Sequence, residues 1–222
     1  MKTIKFLSLI GIAILFNSCV TTIKISSKFY NPTKVGIIVD IDTIRFSKTG
    51  NQGFIDMALT PGNKYTEPLK TIDPFVNPTT KIKNELYNLL ESKYKKFEFI
   101  NEDVNIEELN KFEKPANSEG KFYNKDLRGL KAKYNVDEIM FVNVSYGLLV
   151  QYYGFMELNR FGYSVINSII VNLDDNSLLF RDRTYNSQII NGEWKTPPNY
   201  DNLKNSIQTA IDNSINTLKT KL

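Results

Sequence analysis

LRGLKAKYNVDEIMFVNVSY, residues Leu127 to Tyr146, reads as a short helix, a tight turn and a strand. Leu127, Leu130, Lys131 and Tyr134 recur at helical spacing. Asn135 follows where a helix stops, because Asn tolerates the left-handed conformation there. Ile139, Met140, Phe141, Val142 and Val144 then form an apolar, β-branched and aromatic run. Its near continuity predicts a strand covered on both faces.

Upstream, Val35 to Ile41 predicts a buried strand, with Gly36 marking a close approach. Residues Asp42 to Asn77 are broken by Gly50, Gly53, Pro61-Gly62, Pro68 and Pro74, with room for a short hairpin around Phe54 to Leu59. A long loop of this kind is either functional or more ordered than its composition reveals. Asp42-Thr43-Ile44 matches a bacterial O-glycosylation sequon, but a strand end is the stronger reading. Asn77-Pro78 starts a helix with its stripe on Ile82, Leu86, Leu89, Leu90 and Tyr94. A short strand follows at Phe97 to Ile100, then a helical turn within Ile106 to Phe112.

Downstream, a hairpin tip is expected at Gln151 to Glu157, and the next strand at Val165 to Leu173. Asp174 to Ser177 is a turn, and Leu178 to Tyr185 returns antiparallel. The last helix starts near Asn199 or Asp201 and carries Leu203, Ile207, Ile211, Ile215, Leu218 and Leu222 on one face. The order is strand, helix, strand, helix, three-strand meander, helix. It predicts a layered α/β domain: a mixed, mostly antiparallel sheet with helices packed on it.

Composition narrows the chemistry. The formal charge is +4, from 28 basic and 24 acidic residues, and there is no histidine. Removing Lys2 and Lys5 with a leader leaves 26 against 24, too weak a balance for nucleic acid. The commonest general base and metal ligand is missing. Glu102, Asp103, Glu107 and Glu108 lack the spacing of a calcium loop, and Asp174-Asp175 reads as a turn former. No nucleophile elbow, phosphate loop or zinc pattern is present. No enzyme activity, catalytic residue, metal or cofactor is therefore expected.

The N-terminus reads as an address. Lys2 and Lys5 precede an apolar run from Phe6 to Phe16, too short to span a bilayer, so residues 1–18 read as a signal peptide. The sole cysteine, Cys19, follows directly in Leu15-Phe16-Asn17-Ser18-Cys19, which resembles a bacterial lipobox. That resemblance implies a lipidated Cys19 (diacylglyceryl and a fatty acyl group such as palmitate) and a bacterial envelope protein. Residues 19–33 then read as a polar tether and 34–222 as a single α/β domain. No acidic run follows the cysteine, so the expected location is the outer membrane, facing the periplasm.

The helix–turn–strand Leu127 to Tyr146, the hairpin with Asp174 to Ser177 and the closing helix resemble a group of envelope lipoproteins. The group includes the curli secretion lipoprotein and the lipoprotein activator of a penicillin-binding protein, with an α/β domain similar to anticodon-binding domains. Its members commonly have a Gly-Ala-Asp turn where this chain has Asn135-Val136-Asp137. The resemblance implies action by binding. The expected function is a non-enzymatic, membrane-anchored adaptor for another envelope protein in secretion or cell-wall assembly. Tyr152, Tyr153 and Phe155 at the hairpin tip are the candidate partner-binding residues, unless they pack beneath residues 42–77. The alternative is a carrier or sensor of a small envelope ligand, lipid or glycan, with Trp194 among its pocket residues. Homo-oligomerisation is open, and the long alternating hairpins of a pore are not evident.

Overall fold

The computed structural model describes residues 21–102, 104–116 and 118–222, so the leader and Cys19 lie outside the described residues. Its spine is β4, Glu138–Tyr153, which pairs antiparallel with β5, Met156–Asn172. β5 pairs in turn with β6, Leu178–Ile189. On the other side of β4 lie two short strands in succession, both parallel to it. β1, Lys34–Ile41, flanks the first half and β2, Arg45–Asn51, the second. β3, Lys96–Phe99, closes that edge parallel to β1. The result is the expected mixed sheet, with order β3-β1-β4-β5-β6 and β2 on β4.

Alternation along β4 assigns the faces. Met140, Val142, Val144, Tyr146, Leu148, Val150 and Tyr152 point into the main core. The opposite face carries Phe141, Asn143, Ser145, Leu149 and Gln151, all half-buried. The expected two-sided burial holds only at the start of the strand. There Ile139 packs with Leu127, Leu130, Val136, Val171 and Leu173. Beyond Val142 the sequence itself turns to alternation, the pattern of a strand with one wetted face.

Three helices cover the core face: α2, Thr66–Val76; α3, Thr79–Ser92; and α5, Asp201–Lys221. Asn77 starts α3 as expected, its Oδ1 accepting from the Thr79 N–H at 3.0 Å. The apolar stripe of α5, from Leu203 to Leu222, is buried throughout. Gly162 permits its close approach. A Cβ there would lie 2.3 Å from the Ile207 backbone nitrogen, and the Gly162 N–H instead donates to Ser206 Oγ at 2.8 Å. Gly147 serves the β1–β2 switch, with φ +152 and a hypothetical Cβ 1.9 Å from the Arg45 carbonyl oxygen.

Residues 42–77 are more ordered than their glycines and prolines suggest. β2 and α2 occupy two parts of this segment. The hairpin expected at Phe54 to Leu59 is instead a short helix, α1, Phe54–Leu59. Asp56 closes its first turn by accepting from the Gly53 N–H at 2.9 Å. α4, Gly129–Tyr134, ends on Asn135 at φ 50, ψ 51, the left-handed stop expected of it. In the β5–β6 turn Asp175 accepts from the Ser177 N–H, as a turn former does. Asn176 was not anticipated as a staple. Fully buried at φ 62, it accepts from the Leu127 N–H and donates to the Tyr123 and Lys125 carbonyls.

Residues 21–33, expected as a tether, pack into the fold. Ile23 pairs with Arg181 on the free edge of β6 through two backbone hydrogen bonds of 2.8 and 3.0 Å. Phe29 is wholly buried, and the Tyr30 hydroxyl donates to the Leu222 carbonyl. Lys95 secures the turn by donating to the Phe29 and Asn31 carbonyls while pairing with Glu138 at 2.8 Å. Burial pushes the Glu138 carboxyl up, against the opposing pull of Lys95. Ile25 and Phe29, spaced among polar residues, pack against the core and carry the apolar part of this docking.

Candidate functional site

The β4–β5 hairpin ends in a tight turn at Gly154 and Phe155, with Gly154 in the left-handed region at φ 56. Of the three expected tip residues, Tyr153 and Phe155 are exposed, whereas Tyr152 is 2% exposed and belongs to the core. Alternation dictates this split, since Tyr152 continues the core-facing row of β4.

α1 stands beside the turn. The Gly154 N–H donates to the Asn51 carbonyl, and Gln52 Nε2 donates to the Gly154 carbonyl at 2.9 Å. Lys48 reaches the Met57 carbonyl and Thr60 Oγ1, tying down the end of α1. These polar ties fix the backbone and leave the apolar side chains outside. No residue of α1 is buried: Phe54 is 94% exposed, and Ile55, Met57 and Leu59 are also exposed. Phe155, Met156 and Leu158 on the hairpin add to them, and Leu59 and Phe155 line one hollow of about 280 Å³. Phe54, Tyr153 and Phe155 together leave on the order of 400 Å² of aromatic residue surface exposed.

Beneath this cap lies a charged brace. Glu157 accepts from the hydroxyls of Tyr65 at 2.8 Å and Tyr152 at 3.1 Å, and it pairs with Lys64 and Arg160. Burial works to raise its carboxyl, but the bonds from Lys64, Tyr65 and Arg160 prevail and hold it at about 2. Desolvation and the adjacent carboxylate push the Tyr152 phenol up to about 12. Trp194, proposed for a pocket, instead packs on Tyr65 with ring centroids 4.7 Å apart, under the Arg160 guanidinium.

The sequence pointed to the hairpin half of the cap. It missed the α1 half, although FIDMAL is an apolar run bounded by Gly53 and Pro61. The acidic candidates are scattered. Glu102 pairs with Lys133, Asp174 pairs with Lys131, and Asp103 lies outside the described residues.

No protein-family model matches the chain, and no curated protein does. Among solved structures, the hypothetical protein CT253 from Chlamydia trachomatis is similar over 84% of this chain and 96% of its own, at 10% identity and a TM-score of 0.34. Lipoprotein GNA1162 from Neisseria meningitidis is similar over 82% of this chain and 99% of its own, at 11% identity and a TM-score of 0.29. Likeness at this level transfers no residue from either protein to this one.

Proposed function

We propose that this chain is a non-enzymatic adaptor of the bacterial envelope, anchored through a lipidated Cys19 and capturing another envelope protein with its apolar cap. The observation that carries this reading is the cap itself. A six-residue helix with no buried side chain and an aromatic hairpin turn are bound together by polar ties from Lys48 and Gln52. Exposed Phe, Tyr and Met are the residues that anchor protein interfaces. No described helix is long and apolar enough to cross a membrane, and the lipobox-like segment supplies the anchor in this reading. The expected site is the periplasmic side of the outer membrane.

Position supports an outward-facing role. Arg181, paired with Ile23, is level with Ile169 and Phe141 across the sheet. From Phe141 to Tyr153 the strand climbs twelve residues, roughly 40 Å at about 3.3 Å each. Cys19 is four residues before Ile23, and four extended residues reach at most about 14 Å. A lipid at Cys19 would therefore leave the cap clear of the anchor.

The test is in-cell crosslinking of the full-length protein, with mass spectrometry of the captured material. Wild type is expected to capture one envelope protein at near-equal amount. Phe54→Ser with Phe155→Ser should lose it, as should Cys19→Ala. Undiminished capture by the double variant overturns the cap as the binding surface.

A further inference from the structure

The sheet face opposite α2, α3 and α5 carries a second site beyond the end covered by α4. Register places Asp40, Asn143, Asn167 and Arg183 in one row across β1, β4, β5 and β6. The next row, toward the start of β4, is Ile38, Phe141, Ile169 and Arg181. The segment after β3 folds over the apolar row with Val104, Ile106 and Tyr123. This leaves a cleft of about 260 Å³ whose polar side is Asp40, Asn143 and Asn167. Tyr123 lies over Phe141, the rings 21° from parallel.

The polar row has spare capacity. Asn143 Nδ2 donates to Asp40 at 2.9 Å, which leaves the second carboxylate oxygen and the Asn143 carbonyl open. At the β6 end, Arg181 Nε is buried without a hydrogen-bond partner. Asp182 lies between the two arginines in sequence, but it points to the core face and pairs with Lys221. Arg181 and Arg183 therefore have no carboxylate partner among the described residues.

We infer that this cleft binds a short oligosaccharide bearing an acidic group. Three strand spacings separate Asp40 from Arg183, about 14 Å, a length that spans a few sugar rings. The carboxylate and amides suit hydroxyls, which both donate and accept. The apolar row beside them suits the C–H faces of pyranose rings. Charge complementarity places the acid of the ligand at the mouth of the cleft, on exposed Arg183, the next residue of the polar row beyond Asn167. A lipid tail would leave Asp40, Asn143 and Asn167 unpaired along one side of the cleft. A nucleic acid fits poorly too, because two arginines do not match a phosphate chain. This inference is independent of the cap.

The experiment is calorimetric titration of the full chain in detergent micelles. The probes are a hyaluronan tetrasaccharide, which alternates N-acetylglucosamine with glucuronate, and the uncharged N-acetylglucosamine tetramer. The acidic probe is expected to bind more tightly, with an affinity that falls as salt rises. Asn167→Ala and Arg183→Ala should each weaken it about fivefold, the effect of about one lost hydrogen bond or charge contact. Circular dichroism checks that both variants remain folded. The cap variant Phe54→Ser/Phe155→Ser should bind it unchanged. No binding of the acidic probe, equal binding of the neutral one, or full affinity in the folded Asn167→Ala and Arg183→Ala proteins overturns the assignment.

Discussion

Glu157→Gln removes one negative charge beneath the cap while keeping the side chain's shape. In the folded protein the carboxyl lies at about 2 rather than the ordinary 4.5. A fall of about 2.5 units, at about 1.4 kcal/mol each, sets an upper bound near 3.5 kcal/mol for the ionised form. The Glu157 side chain is only 13% exposed, but Lys64 is 48% exposed, and solvent screening of that partner reduces the expected value to about 2–3 kcal/mol. The folded value is depressed, so the stabilisation is complete above the unfolded value near 4.5 and is lost as pH falls toward 2. Urea unfolding of wild type and variant should therefore differ by about 2–3 kcal/mol at pH 7 and by less than about 1 kcal/mol at pH 2.5. Other carboxylates titrate in both proteins and cancel in the comparison. Equal differences at the two pH values would refute a charge-based brace, as would no difference at pH 7.

Lys95→Met should cost about 3–5 kcal/mol, because it leaves Glu138 buried without its counter-charge; limited proteolysis should then cut first within residues 21–33. Gly162→Ala should cost about 1–3 kcal/mol by forcing α5 away from β5, read as a lower urea midpoint at unchanged slope. Phe54→Ser and Phe155→Ser should each change stability by no more than about 0.5 kcal/mol, because both side chains are exposed, so lost partner capture in these variants cannot be laid to unfolding.

The parts of the fold legible in the sequence are those whose period matches their environment. Ile82, Leu86 and Leu90, and Leu203 to Leu222, recur at helical spacing because each helix buries a single face. Asn135 stops α4 by local backbone chemistry, which needs no tertiary information. β2 was hidden because RFSKTGN is mostly polar and has one neighbour only, and its place is set by length along β4. α1 was hidden for the opposite reason. A helix that buries nothing has no stripe, so FIDMAL shows apolar content without a period. The same property makes it conspicuous in the folded protein. The open-face row was illegible because Asp40, Asn143, Asn167 and Arg183 meet only through strand register, across separations that no local pattern reports.

Docking of residues 21–33 changes what an anchor at Cys19 does mechanically. A free tether would let the domain swivel, and the cap would sample many heights above its membrane. Here Ile23 joins the edge of β6, Phe29 sits in the core, and Lys95 binds the turn between them. An anchor at Cys19 is then only four residues in sequence from a fixed point at Ile23. In the adaptor reading, the reach of the cap is then set by the length of β4 rather than by linker length. Lengthening the chain before Ile23 with a flexible Gly/Ser insert of about ten residues should therefore leave capture intact but widen the set of crosslinked positions on the partner. Had residues 21–33 been a loose tether, ten more flexible residues would scarcely alter that set.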